Sequence, residues 1–250
     1  MYGGIINRLL DYFTQKSYAF QLLIRKVGVF YCQDLCKKEY ESQIFQRINE
    51  RPIEYRFVFN SILKIFPKTV LDVGTGTTAL PHLIRTCGPI TTATDNIKDY
   101  WTRDYFNRHF LVIDDDIIET RLKNRYDLIT CVSVLEHIEN HKSAFQSMFN
   151  LLNPGGHLVL THPYNEEKYI DNIYKHSDAG YGKDLPFICR IYSRRELNDW
   201  LETNNGKIIS QEYWRIFSGD LWTFGKRLKP PLQVTNSEQH HLTCILIQKQ

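Results

Sequence analysis

The chain has 250 residues, of which 42% are hydrophobic and 24% charged, and its formal net charge is +3. This composition is typical of a globular protein of one domain plus additions, and the scattered lysines and arginines do not favour a nucleic-acid partner. Charges interrupt every apolar stretch before the ~18 residues that a membrane span needs. We therefore expect a cytoplasmic protein with no signal peptide and no integral membrane segment.

Residues 1–52 are predicted to form an N-terminal helical extension. Apolar residues recur there at spacings of three and four, at Ile5, Ile6, Leu9, Leu10, Phe13, Phe20, Leu23, Ile24 and Val27. Such helices suit three roles: covering the rest of the fold, forming a homodimer, or contacting a membrane surface with their aromatic and basic side chains.

A helix over about Ile53 to Phe66 is followed by the stretch that carries the strongest signal. Residues 70–73 form a short apolar strand interrupted by Asp72, and Gly74 and Gly76 then permit a tight turn into a helix. Asp95 follows nineteen positions after Gly76, at the end of a second strand, where an acid can accept ribose hydroxyls. This arrangement predicts a βαβ unit that binds a nucleoside.

Two classes of cofactor fit that turn. Gly74, Gly76 and Ala79 satisfy the loose dinucleotide pattern, which leaves an NAD(P)-dependent oxidoreductase as an alternative. Asp72 lies two positions before the first glycine, where its carboxylate would repel a pyrophosphate and attract an ammonium group. The turn therefore favours a cationic ligand.

The strand, acid and glycine turn resemble the first motif of class I S-adenosylmethionine-dependent methyltransferases. Further segments over residues 55–165 agree in order: Asp95, Asp115-Asp116-Ile117, the stretch 126–138 with its Leu-Glu-His, and the turn at 151–156. Thr78 stands where many members carry a third glycine. The resemblance implies that residues 53–250 form the methyltransferase domain.

The alternation of strands and helices after Asp72 predicts an α/β fold with a doubly wound, mostly parallel sheet of seven strands, with helices on both faces. Strands are expected at about 110–113, 128–132 and 157–161, and two final antiparallel strands at 207–217 and 242–248. Ser193 with Glu196 predicts a capped helix. Two aromatic, lid-like insertions are expected at about 164–190 and 218–241.

The resemblance also assigns the residues that would bind S-adenosyl-L-methionine. Asp72 would face the ammonium group, and Gly74 and Gly76 the carboxylate and sulfur. Asp95, with Asn96 beside it, would contact the ribose. Asp116 or Asp115, together with Ile117, would contact adenine. Ser133 and Val134 would form the floor of the site.

His137 is the predicted general base, because it follows the fourth strand at the pocket mouth and imidazole titrates near neutral pH. Acceptor contacts are expected just after the fifth strand, at His162, Tyr164 and Asn165, and in the first insertion at Tyr181. We predict no metal site, because the six cysteines lack the paired close spacings of a zinc site.

These residues predict a methyltransferase that acts through oxygen on a small molecule, or on a glycan or nucleotide-sugar hydroxyl. The alternatives are the NAD(P)-dependent oxidoreductase and a non-catalytic binding subunit with the same fold. A silent subunit would be expected to lose the acids at positions 72 and 95, and both are present.

Overall fold

The computed structural model describes residues 8, 12–13, 15–45, 48–101, 106–183 and 185–250. The chain divides into two units, residues 1–49 and 50–250. In the first unit, helix α1 (Tyr18–Glu41) begins after Ser17, whose hydroxyl accepts a hydrogen bond from the amide of Phe20. Among the helices described, none has the length and apolar character that crossing a membrane requires.

Part of the predicted N-terminal helix pattern falls inside α1, from Phe20 to Val27. The earlier apolar positions Ile5, Ile6, Leu9 and Leu10 lie outside the described residues. A homodimer contact or a membrane-surface contact through these helices stays a prediction.

The second unit is a sheet with helices on its two faces. Its strands are β1 (Thr69–Val73), β2 (Ile90–Asp95), β3 (Val112–Asp114), β4 (Tyr126–Val132), β5 (Leu152–Pro163), β6 (Gly206–Phe217), β7 (Arg227–Val234) and β8 (Leu242–Lys249). Its helices are α2 (Arg51–Ile65), α3 (Leu80–Thr86), α4 (Ile97–Tyr100), α5 (His141–Leu151) and α6 (Arg194–Asn204).

The strands are ordered β3-β2-β1-β4-β5-β8-β6-β7. Strands β1 to β5 pair in parallel, β8 runs antiparallel to β5 and β6, and β7 runs antiparallel to β6. The predicted α/β fold with a doubly wound, mostly parallel sheet is confirmed. The order reverses between β1 and β4, and ligands of open α/β sheets bind in the crevice at such a switch point.

Within the residues that the structure describes, the sheet has eight strands where seven were predicted. The additional strand, β7, lies in the stretch 218–241 that was expected to be an insertion. Pro230 and Pro231 fall within it, and proline argues against a central strand because it cannot donate to the ladder. The structure resolves this conflict by placing β7 at the edge of the sheet, where proline is tolerated.

Two apolar cores, one on each face of the sheet, hold the helices in place. On one face, Phe57 and Val58 of α2 pack with residues of β5, β6 and β8. On the other face, the ring of Phe145 in α5 stacks on Phe149 and on Trp200 of α6, with centroids 4.8 and 5.1 Å apart. The predicted capping box of α6 is confirmed, since the Glu196 carboxylate accepts the Ser193 amide at 3.0 Å.

The register of β1 and β4 brings two polar side chains together inside the sheet. Asp72 of β1 lies opposite Thr130 of β4, and the Thr130 hydroxyl donates to the Asp72 carboxylate at 2.6 Å. Parallel pairing therefore fixes one oxygen of the acid before the chain enters the glycine turn.

Candidate active site

Asp72 is at the base of a pocket at the carboxyl end of β1. Its side chain is buried, and its second oxygen accepts a hydrogen bond from the Thr75 hydroxyl at 2.7 Å. Burial raises the pKa of Asp72 to about 6, and the hydroxyls of Thr130 and Thr75 partly oppose that rise. The pocket is lined by Arg51, Tyr55, Asp72, Val73, Gly74, Thr75, Thr78, Leu80 and Val132.

The two glycines of the turn differ in what surrounds them. Both have a left-handed backbone, with φ of +69° at Gly74 and +57° at Gly76. A Cβ at Gly74 would meet Cγ1 of Val134 at 2.4 Å, so Val134 packs directly on the turn. At Gly76, a Cβ would have no described atom within 4 Å. The open space beside Gly76 is a cradle into which a ligand can approach the backbone.

The ends of β2 and β3 add a row of polar groups beside that cradle. The Gly76 amide donates to the Asp95 carboxylate at 2.6 Å. The side-chain amide of Asn96 donates to Asp116 at 3.4 Å, and Asp116 also accepts the amide of Ile118 at 2.9 Å. Asp95, Asn96 and Asp116 thus lie side by side.

Asp115 has a different environment from Asp116. It is buried, and its carboxylate accepts hydrogen bonds from the Thr120 hydroxyl and from the backbone and side chain of Arg121. Its oxygens are used within its own loop. Ile117, which follows in a 3₁₀ turn, is also buried and belongs to the core that contains Phe145 and Trp200. Asp116 is partly exposed whereas Asp115 is buried, so the geometry favours Asp116 over Asp115 as a ligand contact.

Arg51 is a pocket residue that the sequence analysis missed. It is the first residue of α2, and its guanidinium donates to Glu54 at 2.9 Å and to the Val132 carbonyl at 3.2 Å. Arg51 is close enough to act on Asp72, whose pKa it lowers against the larger effect of burial. One pocket thus presents both a carboxylate and a guanidinium, a pair suited to a zwitterionic amino-acid group. No spacing in the sequence indicated that α2 would bring a cation here.

Glu54 holds α2 against the ends of β4 and β5. It is fully buried, and one oxygen accepts the hydroxyls of Ser133 at 2.5 Å and of Thr161 at 2.7 Å. Ser133 has a φ of +51°, which is unusual for a residue other than glycine. Backbone conformations of this kind are concentrated at functional sites. The Ser133 hydroxyl is thus engaged by Glu54, and the neighbouring Val134 packs on the glycine turn.

Glu136 lies in the 3₁₀ turn Leu135–His137 that follows β4. It is buried, and its Oε2 atom has no hydrogen-bond partner within the part of the chain that the structure describes. Burial, with a smaller contribution from the Glu54 carboxylate, raises the pKa of Glu136 to about 8. Glu136 is therefore mainly protonated at neutral pH.

His137 does not line the pocket; its Nδ1 atom makes a hydrogen bond, and its Nε2 atom lies 3.9 Å from Oε1 of Glu136. Its Nδ1 lies 2.5 Å from the Ile188 carbonyl, so Nδ1 carries the proton and Nε2 keeps a lone pair. Burial lowers the pKa of His137, which favours the neutral imidazole that a general base requires. The ring of Phe187 packs edge-on against the imidazole at 5.5 Å.

The residues predicted to contact the acceptor do not gather at this pocket. His162 and Tyr164 are fully buried, and the centroid of the His162 ring lies 5.0 Å from that of Tyr192 and 6.1 Å from that of Tyr164. The Tyr164 hydroxyl donates to Glu166 at 3.0 Å. The prediction for these two residues is corrected, because the end of β5 is covered by packed side chains. Asn165 accepts the amides of residues 167 and 168, and Tyr181 is 69% exposed.

The first insertion is fastened at two places. The Arg190 amide donates to the Glu136 carbonyl at 3.1 Å, and the Arg190 guanidinium donates to the Ile138 carbonyl at 2.6 Å. At its other side, the Gly180 amide donates to the Thr223 carbonyl at 3.1 Å in the connection between β6 and β7. The two insertions therefore meet each other, and the first one borders the His137 turn.

In the described residues, no group of three or more histidine, cysteine, aspartate or glutamate side chains is arranged to hold a metal ion. His240 and His241 serve other purposes. Nδ1 of His241 accepts the amide of Ile216 at 3.1 Å, and the ring of His240 stacks on Tyr164 with centroids 5.6 Å apart.

A family model described as a methyltransferase domain matches residues 42–211. The chain belongs to this methyltransferase family. The resemblance drawn from the strand, acid and glycine turn is confirmed by that match, which includes Asp72, Asp95 and His137.

Curated relatives and solved structures agree with the family. The chain is 31% identical to the ubiquinone biosynthesis O-methyltransferase of Glaesserella parasuis serovar 5 over 121 residues. These residues cover 44% of this chain and 51% of the relative. The corresponding enzyme of Coxiella burnetii is 28% identical over 171 residues, which cover 63% of this chain and 71% of that enzyme. The chain spans 49% of the Vibrio atlanticus enzyme and 6% of a probable Dictyostelium discoideum polyketide synthase.

Among solved structures, the 1,6-didemethyltoxoflavin-N1-methyltransferase of Burkholderia thailandensis, crystallised with S-adenosylhomocysteine, has a TM-score of 0.53 at 14% identity. It covers 93% of this chain, and this chain covers 89% of it. An S-adenosylmethionine-dependent methyltransferase of Clostridium acetobutylicum has a TM-score of 0.50 at 15% identity. The match covers 87% of this chain and 98% of the Clostridium protein. Likeness at this identity shows the methyltransferase fold.

Glu136→Gln should remove a pH dependence from the stability of this protein. The pKa of about 8 in the folded state is above the ordinary glutamate value, so the native state holds the proton more tightly than the unfolded chain. Stability of the native protein should fall as pH rises through the interval up to about 8 and then level off. Glutamine keeps the shape without ionising. We therefore expect the free energy of unfolding of the variant, relative to that of the wild type, to rise by about 2–4 kcal/mol between pH 4.5 and pH 9.

Urea unfolding across that pH range measures the effect, with Glu202→Gln, an exposed position of α6, as the control. The control should follow the wild type at every pH. Parallel curves for Glu136→Gln and the wild type would show that Glu136 is ionised in the folded protein at neutral pH.

Proposed function

We propose that this protein binds S-adenosyl-L-methionine in the pocket at the end of β1 and transfers its methyl group to a hydroxyl oxygen of a small molecule or glycan. The observation that carries the proposal is the presence of Asp72 and Arg51 in one pocket, with an open cradle at Gly76. A carboxylate and a guanidinium complement the ammonium and carboxylate of the methionine part. The residues present therefore fit the cofactor.

The remaining contacts follow the ends of the parallel strands. Asp95 would accept the ribose hydroxyls with Asn96 beside it, and Asp116 with Ile117 would border adenine. Gly74 and Gly76 would face the carboxylate and sulfur portion, and Val134 with Ser133 would form the floor. Their support is the row of hydrogen bonds from Gly76 to Asp95 and from Asn96 to Asp116.

The chemistry divides between the cofactor and the protein. When bound, S-adenosylmethionine supplies an electrophilic methyl group, so the protein has to align the acceptor and remove its proton. His137 is the proposed base. Its Nδ1 atom donates to the Ile188 carbonyl, which leaves the lone pair on Nε2 to accept a proton. The insertion that carries Phe187 and Ile188 orients the imidazole and would keep water from the reacting oxygen.

Oxygen as the methylated atom is supported by two of the curated relatives, those of Glaesserella parasuis and Coxiella burnetii, which are O-methyltransferases of ubiquinone biosynthesis. The ring of Phe187, 41% exposed beside His137, offers a face for a planar or sugar ring. Two other aromatic side chains of the insertions, Tyr174 and Trp222, are buried in the core and do not offer such a face. An NAD(P)-dependent oxidoreductase has no support in the family match.

The cofactor assignment predicts that S-adenosylhomocysteine binds and that Asp95→Ala weakens it by about 1–3 kcal/mol, the scale for a buried polar group left without its partner. Isothermal calorimetry with S-adenosylhomocysteine, NADH and NADPH measures this directly. Asp99→Ala, at an exposed position of α4, is the matched control and should bind as the wild type does. Binding of a nicotinamide cofactor alone would refute the assignment.

His137→Ala should lower turnover by about 10²–10⁴-fold, the range for loss of a general base. Its affinity for S-adenosylhomocysteine should change little, because the base acts on the acceptor. Activity is first sought with small phenols, sugar nucleotides and bulk RNA, and the active acceptor is then used for the comparison. His109→Ala, at an exposed position, is the control. Wild-type turnover in His137→Ala would remove this residue from the mechanism.

A further inference from the structure

Helix α2 brings Arg51 into the pocket, yet its start lacks the usual local cap. Glu50 occupies the N-cap position with a helical backbone, φ −77° and ψ −13°, and its side chain makes no capping hydrogen bond to described residues. Serine, threonine, aspartate and asparagine are the residues that normally fix this position. The Glu50 carbonyl does accept the amides of Ile53 and Glu54, at 2.9 and 3.2 Å. The turn is formed, and within it the Arg51 guanidinium donates to Glu54 at 2.9 Å, but no described side chain caps its start.

The Glu50 carboxylate is directed to the edge strand instead. It pairs with the Arg227 guanidinium at 2.5 Å, and Arg227 is the first residue of β7. The exposed fractions of the Arg227 and Glu50 side chains are 16% and 20%, and the guanidinium also lies 5.7 Å over the ring of Phe217. A partly buried pair is screened less than a surface pair, and leaving one partner alone is costly.

Arg227 and Glu50 complete a set of contacts around the first turn of α2. On the inner side, Arg51 donates to Val132 of β4, and Glu54 accepts the hydroxyl of Ser133. On the outer side, Arg227 holds Glu50, the residue immediately before Arg51. The turn is thus held between the parallel strands and the antiparallel edge.

We propose that Arg227 is a positioning residue for the cofactor pocket: through Glu50 it fixes the first turn of α2 and thereby the guanidinium of Arg51. This inference rests on the proposed function, since Arg51 is taken to meet the carboxylate of S-adenosylmethionine. It gives β7, the strand that the sequence did not predict, a specific role in the site. Arg227 itself does not line the pocket.

A second ion pair provides a matched comparison. Arg56 of α2 pairs with Glu212 of β6 and lies 5.5 Å over the ring of Trp214. This pair also fastens α2 to the antiparallel strands, with similar chemistry, but it lies one turn further along the helix and outside the pocket. General fastening of the helix would make the two pairs equivalent, whereas the proposal makes only the Arg227 pair matter for the cofactor.

The test uses the full chain and the variants Arg227→Gln, Glu50→Gln, their double, Arg227→Lys and Arg56→Gln. Calorimetry measures the Kd of S-adenosylhomocysteine, hydrogen exchange measures the amides of residues 53–55, and thermal unfolding measures stability. We expect Arg227→Gln and Glu50→Gln each to weaken binding about 5–20-fold, the lower part of the range for coupling between sites that do not touch. The double variant should be no weaker than either single variant, because both remove the same interaction.

Exchange at residues 53–55 should be faster in Arg227→Gln and partly restored in Arg227→Lys. Arg56→Gln should leave the Kd within about twofold of the wild type, with unchanged exchange at 53–55, whatever its effect on thermal stability. If Arg227→Gln does not fold, Glu50→Gln and Arg227→Lys decide the question by the same measurements.

Wild-type affinity in the Glu50→Gln and Arg227→Gln variants, or an equal loss in Arg56→Gln, would overturn the positioning role. Failure of the wild type to bind S-adenosylhomocysteine is a separate result that refutes the proposed function. Hydrogen exchange needs no ligand, so in that case unchanged exchange at 53–55 in Arg227→Gln would also overturn the positioning of the turn, and faster exchange would support it.

Discussion

A buried carboxyl group must find donors or remain protonated. Three buried carboxyl groups lie near Arg51, one on β1, one on α2 and one in the turn after β4. Asp72 accepts two threonine hydroxyls, Glu54 accepts Arg51 and two further hydroxyls, and Glu136 has an oxygen without a partner among described residues. The pKa values of Asp72 and Glu136 are raised mainly because burial removes these carboxyl groups from water. The pocket therefore favours a ligand that brings an ammonium group.

The topology explains how residues far apart in the chain reach this place. The carboxyl ends of parallel strands meet at one edge, so Asp72, Asp95 and Asp116 lie beside one another although the chain separates them by tens of residues. Helix α2 precedes β1 and carries Arg51 across that edge. The antiparallel strands β6 to β8 lie outside the nucleoside-binding unit. They and their connections make hydrogen bonds to the first insertion and to the residue before α2, and so support both.

Local patterns in the sequence were enough for the fold class and for the family. The glycine turn after Asp72 and the acid at the end of β2 are short-range signals, and the structure brings them together. Arg51 and its contacts could not be predicted, because they depend on how a helix with an ordinary apolar pattern is rotated against the sheet. His162 and Tyr164 were misplaced since their position after β5 suggested an open edge, which packed aromatic rings in fact cover. The edge strand β7 was missed because its two prolines argue against a strand.

The central claim is that Asp72 and Arg51 together recognise the amino-acid part of the cofactor. The most direct test compares the affinities of S-adenosylhomocysteine and 5′-methylthioadenosine, which share the nucleoside and the sulfur and differ in the amino-acid group. Two charge-assisted contacts contribute about 1.5–3 kcal/mol each, so we predict that S-adenosylhomocysteine binds the wild-type protein at least about 100-fold more tightly. Equal affinity for the two compounds, measured by calorimetry on the same preparation, would contradict the account.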